Sequence, residues 1–94
     1  MEKIDKEVII TIIKKHLPQT KIYLFGSRAR GDASAESDFD IALDNQSKID
    51  EEIVSLIKED LEESTIPFTV DIVDLQHISQ TLKNEILKDG KLWN

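Results

Sequence analysis

A short turn rich in glycine, serine and arginine, caught between two apolar runs, constrains this chain more than any other stretch. Ile22-Tyr23-Leu24-Phe25 leads into Gly26-Ser27-Arg28-Ala29-Arg30-Gly31, and Ser37-Asp38-Phe39-Asp40 leads into Ile41-Ala42-Leu43. The order reads as a strand over 21–25, a turn and short helix over about 26–30, a polar loop over 32–37 and a second strand over 38–44. Side chains alternate across a strand, so Asp38 and Asp40 share one face while Phe39, Ile41 and Leu43 share the other and can be buried. A third apolar run, Thr69-Val70-Asp71-Ile72-Val73, carries another carboxylate. Val70 and Ile72 are expected to face the helices, which leaves Asp71 on the opposite face. Asp74 has the other parity and stays outside this set.

These residue types suit one kind of chemistry. Neighbouring carboxylates repel unless a cation lies between them. Mg²⁺ prefers hard oxygen ligands and is commonly held by one or two carboxylates together with substrate phosphates. Gly26 allows a backbone conformation and a close approach that a side chain would block. Ser27 offers a hydroxyl, and the free amides that open the following helix attract anions. Arg28 and Arg30 add positive charge, and Ser37 is placed at the pocket rim. A phosphate holder then faces a metal holder, as metal-assisted attack on a nucleoside triphosphate requires. A calcium loop built on Asp38, Asp40 and Asp44 fails, because Leu43 stands where such a loop needs glycine.

The remaining chain reads as helices and a third strand. Ile4, Val8, Ile9, Ile12, Ile13 and Leu17 fall at helical spacing and predict a helix over 4–16, stopped by Pro18. His16 is expected near that helix's last carbonyls. Ser47 and Asp50 read as a capping box before a long helix striped with Ile49, Ile53, Leu56, Ile57 and Leu61. Its acidic face, including Glu59, Asp60 and Glu62, is expected to be a solvated surface. The third strand spans 68–75, and a strand–helix–strand order favours a parallel neighbour by a right-handed crossover. Ser79 caps a last helix, Gly90 suits a left-handed C-terminal cap, and 91–94 form a tail whose Trp93 folds back or anchors a partner. His77 is expected to be exposed after the third strand.

Gly-Ser-x-Ala-Arg-Gly, five residues, then Ser-Asp-x-Asp resembles the signature of the DNA polymerase β-type nucleotidyltransferase superfamily. The short chain resembles its minimal nucleotidyltransferases, which are often paired with a helical partner protein. The likeness covers about 21–75. It implies an α/β (α+β) fold of the polymerase β palm kind: a small mixed sheet of about three strands with helices packed on one face. It implies that Gly26 and Ser27 hold the triphosphate, that Asp38 and Asp40 ligate metal, and that Asp71 supplies the third carboxylate. The implied reaction moves a nucleoside monophosphate, AMP from ATP, to a hydroxyl acceptor with Mg²⁺, two ions being expected. The acceptor is left open: a hydroxyl of the helical partner, as in an antitoxin that adenylylates its toxin, or a small molecule of the aminoglycoside kind. A non-catalytic subunit that binds nucleotide and metal is the alternative from another class.

Composition narrows the partners. From 94 residues one domain over 1–94 is expected, without a separate acceptor-binding domain. A net charge of −7 repels phosphate backbones and argues against a large nucleic-acid acceptor. Cysteine is absent, no apolar run approaches a membrane span, and the charged N-terminus has no signal-peptide pattern, so a cytoplasmic protein is expected. Homo- or hetero-oligomerisation stays open.

Overall fold

The computed structural model describes residues 3–26, 29, 31 and 38–94. Helix α1 (Lys3–His16) precedes strand β1 (Lys21–Phe25), and β2 (Phe39–Asp44) is followed by α2 (Glu51–Glu62). Strand β3 (Val70–Asp74), a 3₁₀ turn (Leu75–His77), α3 (Gln80–Asp89) and a short β4 (Lys91–Leu92) complete the described chain. The strands form one mixed sheet in the order β3-β2-β1-β4. β1 runs antiparallel to β2 and β4, and β2 runs parallel to β3. The parallel pairing of β2 with β3 is as expected, and α2 lies in the connection between them.

The alternation seen in the strands sorts the sheet's two faces. Ile22, Leu24, Phe39, Ile41, Leu43 and Ile72 point to one side and pack with Ile9, Ile13 and Leu17 of α1 and its end, and with Ile57 and Leu61 of α2. Phe68 meets Phe39 edge-on, with ring centroids 5.6 Å apart, at the start of the parallel pair. On the other side Ala42 and Leu75 form a small second cluster with Ile86 of α3, flanked by Tyr23 and Phe25. Among the described residues, one face thus carries α1 and α2 and the other α3, where helices on one face alone were expected. None of the described helices is long and apolar enough to cross a membrane.

Four local expectations give way. The 91–94 tail supplies a fourth strand: Trp93 N donates to Ile22 O (2.7 Å) and Ile22 N to Asn94 O (2.9 Å). Trp93 itself packs back against the main core, with Lys6 Nζ 5.6 Å from its ring centroid. Gly90 is extended (φ −72°, ψ 155°) rather than left-handed, and glycine is needed there because a β-carbon would overlap the Ile86 carbonyl. The Ser47–Asp50 capping box does not form. Asp50 precedes α2 without a side-chain cap, and only its carbonyl is used, by Ile53 N and Val54 N (3.0 and 3.1 Å). His16 bonds Asp60 Oδ2 at 2.6 Å across to α2, so Asp60 serves as a helix–helix tie and not only as solvated surface. Lys14 Nζ takes the carbonyl-binding role instead, donating to Thr20 O at 2.6 Å. Ser79 caps α3 as expected, its hydroxyl accepting from Leu82 N at 3.2 Å.

Candidate active site

Three strands meet at one end of the sheet, on the face that carries α3. β1 arrives there at Phe25, while β2 and β3 set out from it. In register, Phe25 stands opposite Asp40, and Asp40 opposite Asp71. Register partners project to the same side of a sheet, and neighbouring strands lie about 4.8 Å apart. Asp40 and Asp71 therefore project side by side from adjacent strands, away from the α1 and α2 core. Asp40 is half-buried and Asp71 exposed. Asp38 lies just before β2 and is exposed; the ladder begins one residue later, where Phe39 N donates to Thr69 O at 2.9 Å.

Gly26 follows β1 directly and has φ 75°, a conformation that L side chains rarely adopt. A β-carbon on it would overlap the Asp40 carboxylate. The turn thus passes so close to Asp40 that only backbone fits between them. Both properties expected of Gly26, unusual dihedrals and close approach, are present. Ser27, Arg28, Arg30 and Ser37 lie outside the described residues. Ala29, within the same turn, is buried in the main core.

The candidate donor set is all carboxylate oxygen, without sulfur or imidazole, which suits a hard cation such as Mg²⁺ rather than zinc. Among the described residues no three His, Cys, Asp or Glu side chains gather closely enough to hold an ion by themselves. Mg²⁺ characteristically takes one or two carboxylates and draws further oxygens from water and substrate phosphates. An adjacent Asp40 and Asp71 fit that mode, with Asp38 beside them in sequence.

Asp74 has a separate duty at the far end of β3. Its Oδ2 accepts from Ile49 N (2.8 Å) and its Oδ1 from Gln76 N (2.9 Å), which ties the start of α2 and the 3₁₀ turn to the sheet. Gln76 Nε2 donates in turn to Asp44 Oδ1 at 3.0 Å. An Asp two residues before a turn amide is a recognisable Asx signal, but the bond to Ile49 spans 25 positions and has no local signature.

Residues 7–93 match the family described as polymerase beta, nucleotidyltransferase. The chain belongs to that family, and it is a minimal nucleotidyltransferase. It is 32% identical over 95 residues to the protein adenylyltransferase MntA of Shewanella oneidensis, covering 99% of this chain and 68% of that protein. It is 31% identical over 81 residues to a probable protein adenylyltransferase MntA of Haemophilus influenzae, covering 86% of this chain and 71% of the relative. Among solved structures it superposes on a chain of a toxin–antitoxin with AMP-PNP, with TM-score 0.79 and 30% identity over 93% of this chain and 70% of the other. A second likeness is to a chain of the tri-AMPylated Shewanella oneidensis HEPN toxin in complex with MNT antitoxin, with TM-score 0.76 and 27% identity, covering 98% of this chain and 71% of that one.

Proposed function

We propose that this chain transfers AMP from ATP to a hydroxyl of a small helical partner protein in the cytoplasm, and so acts as the antitoxin of a pair. The observation that carries the reading is the register setting Asp40 beside Asp71, with Gly26 against the Asp40 carboxylate. The relatives named protein adenylyltransferase and the toxin–antitoxin structures support the choice of AMP and of a protein acceptor.

Each residue has a distinct task. Gly26 and Ser27 hold the triphosphate through backbone N–H groups and a hydroxyl, with Ser37 at the pocket rim. Asp38 and Asp40 would hold Mg²⁺, and Asp71 would share a second ion. An ion held by these carboxylates would supply charge neutralisation at the phosphate oxygens and a lowered pKa for the acceptor hydroxyl. Asp71 accepts the hydroxyl's hydrogen bond and aims its oxygen at the α-phosphorus. A bond forms between that oxygen and phosphorus as the bond to the β-phosphate oxygen breaks. Pyrophosphate leaves beside Arg28 and Arg30, and the hydroxyl proton passes to the carboxylate side of the site. Positioning and electrostatics supply nearly all of the acceleration, as in other phosphoryl transfers.

The test is to pull down the chain's native partner, co-express the two and measure the intact mass of that partner. AMP is expected on it with the wild-type chain and not with Asp40→Ala. A partner that stays unmodified, with no pyrophosphate released in its presence, overturns the reading.

A further inference from the structure

The outer side of β3 is the feature that the site does not use. β3 ends the sheet, and no described strand pairs with its far side. Phe39 N donates to Thr69 O, and the ladder continues in register through Asp71 and Val73. In a parallel strand the backbone groups of alternate residues point to opposite sides. Those of 69, 71 and 73 turn toward β2, so the N–H and C=O of Val70 and Ile72 turn outward. Along this edge lie two grooves. One, of about 410 Å³, is lined by the consecutive residues 66–71 with Lys58, Leu61 and Glu62 of α2. The other, of about 360 Å³, continues past Ile72 and Asp74 to His77, with Lys58 again on its wall. Lys58 joins the two, and Asp71 lies on the first.

We propose that this edge cleft receives an extended segment of the acceptor polypeptide, which pairs with Val70 and Ile72 as an added strand and brings a Tyr, Ser or Thr hydroxyl to Asp71. The inference rests on the adenylyl-transfer reading and adds to it where and in what conformation the acceptor binds. Three observations favour this occupant. The first groove follows the run 66–71 that leads into β3, and the second continues past Ile72 and Asp74 of the same strand, an elongated shape that fits an extended chain at about 3.3 Å per residue. The outward amides and carbonyls recur at the two-residue spacing that strand addition uses. Glu51, Glu62, Asp71 and Asp74 outnumber Lys48 and Lys58 on the walls. That balance selects a neutral or basic segment and repels a phosphate backbone.

The experiment is amide exchange by NMR on the full chain with Mg²⁺ and a non-hydrolysable ATP analogue. The probe is a pool of ten-residue peptides, neutral or basic, each with one Tyr, Ser or Thr. The amides of Val70 and Ile72 are expected to exchange at least tenfold more slowly with peptide, and Lys58→Trp, which fills the cleft, should remove that protection. Val70→Pro takes away one outward donor without touching the ladder and should weaken protection at Ile72. Absence of protection in the wild type, or its persistence in both variants, overturns the proposal. So does protection that appears when the chain is concentrated alone, since the edge would then pair with a second copy. In parallel, the peptides are incubated with ATP and weighed. AMP on peptides without edge protection sinks the cleft and spares the reaction, whereas protection without AMP on any acceptor does the reverse.

Discussion

Gly26 and Asp40 occupy one space: the carboxylate of Asp40 lies where a β-carbon of residue 26 would stand. The positive φ of Gly26 reinforces the exclusion. Gly26→Ala must therefore displace the aspartate or the turn. The expected cost is about 1–3 kcal/mol of stability from the left-handed backbone and the overlap. Transfer is expected to fall by more than about a hundredfold, because the turn and the carboxylate can no longer be in place together. Thermal unfolding and the rate of AMP transfer measure the two effects, and a fully active, equally stable alanine variant would refute the packing.

Asp71→Asn keeps size and hydrogen bonding while removing charge. Asp71 is exposed, so stability without metal should change by no more than about 0.5 kcal/mol, with any gain coming from relieved repulsion against Asp40. Transfer should drop by about a hundredfold or more. Asp40→Ala should lose transfer as well, and stripping divalent metal with a chelator should silence the wild type, with Mg²⁺ restoring it. Urea titration beside a pyrophosphate-release assay separates the two effects, and wild-type turnover by either variant contradicts the assignment.

His16 and Asp60 give a pH signature. The hydrogen bond from His16 holds the Asp60 carboxyl below its usual 3.8; burial opposes this, and the charges of Lys15 and His16 assist. A carboxylate whose folded-state value is depressed stabilises the fold above its unfolded value and loses that contribution as pH falls through the folded one. Asp60→Asn should therefore be less stable than the wild type near neutrality, and the gap should close in acid below about pH 4. Denaturation at a series of pH values reads this directly. A gap that widens in acid would contradict the sign.

Asp74 should matter to the fold and not to the chemistry. Asp74→Ala strips acceptors from Ile49 N and Gln76 N, and Ile49 is buried at 3% exposure. The expected loss is about 1–3 kcal/mol in urea denaturation. With the acceptor saturating, transfer per folded molecule should remain within about twofold, because Asp74 lines the acceptor cleft and not the reacting end of β3; a larger drop in that limiting turnover would show that the far end of β3 reaches the site.

The parts of this fold that alternation governs were legible from residue order. Phe39, Ile41 and Leu43 are buried on the helical side, and the opposite parity of Asp71 in its run follows from Val70 and Ile72 beside it. What escaped depends on contacts distant in sequence. Lys91 and Leu92 are too few to show a period, and their strand exists because β1 offers an open side. Gly90 looked like a left-handed cap because helices often end so, yet the nearby Ile86 carbonyl is what demands glycine. His16 meets Asp60 across 44 residues, which no local rule anticipates. The position of α3 on the second face was equally hidden, since its exposed Leu82 and Leu87 blur the stripe led by Ile86.

The parallel pairing of β2 with β3 has an all-or-none consequence. Sliding β3 by a single residue would send Asp71 toward α2 and bring a neighbouring apolar side chain out in its place. No halfway alignment exists in which the two aspartates are merely somewhat apart. Mutations at Phe68 or Phe39, whose rings lock the start of this ladder, should leave a population divided between fully competent and wholly inert molecules, rather than a uniformly weakened one.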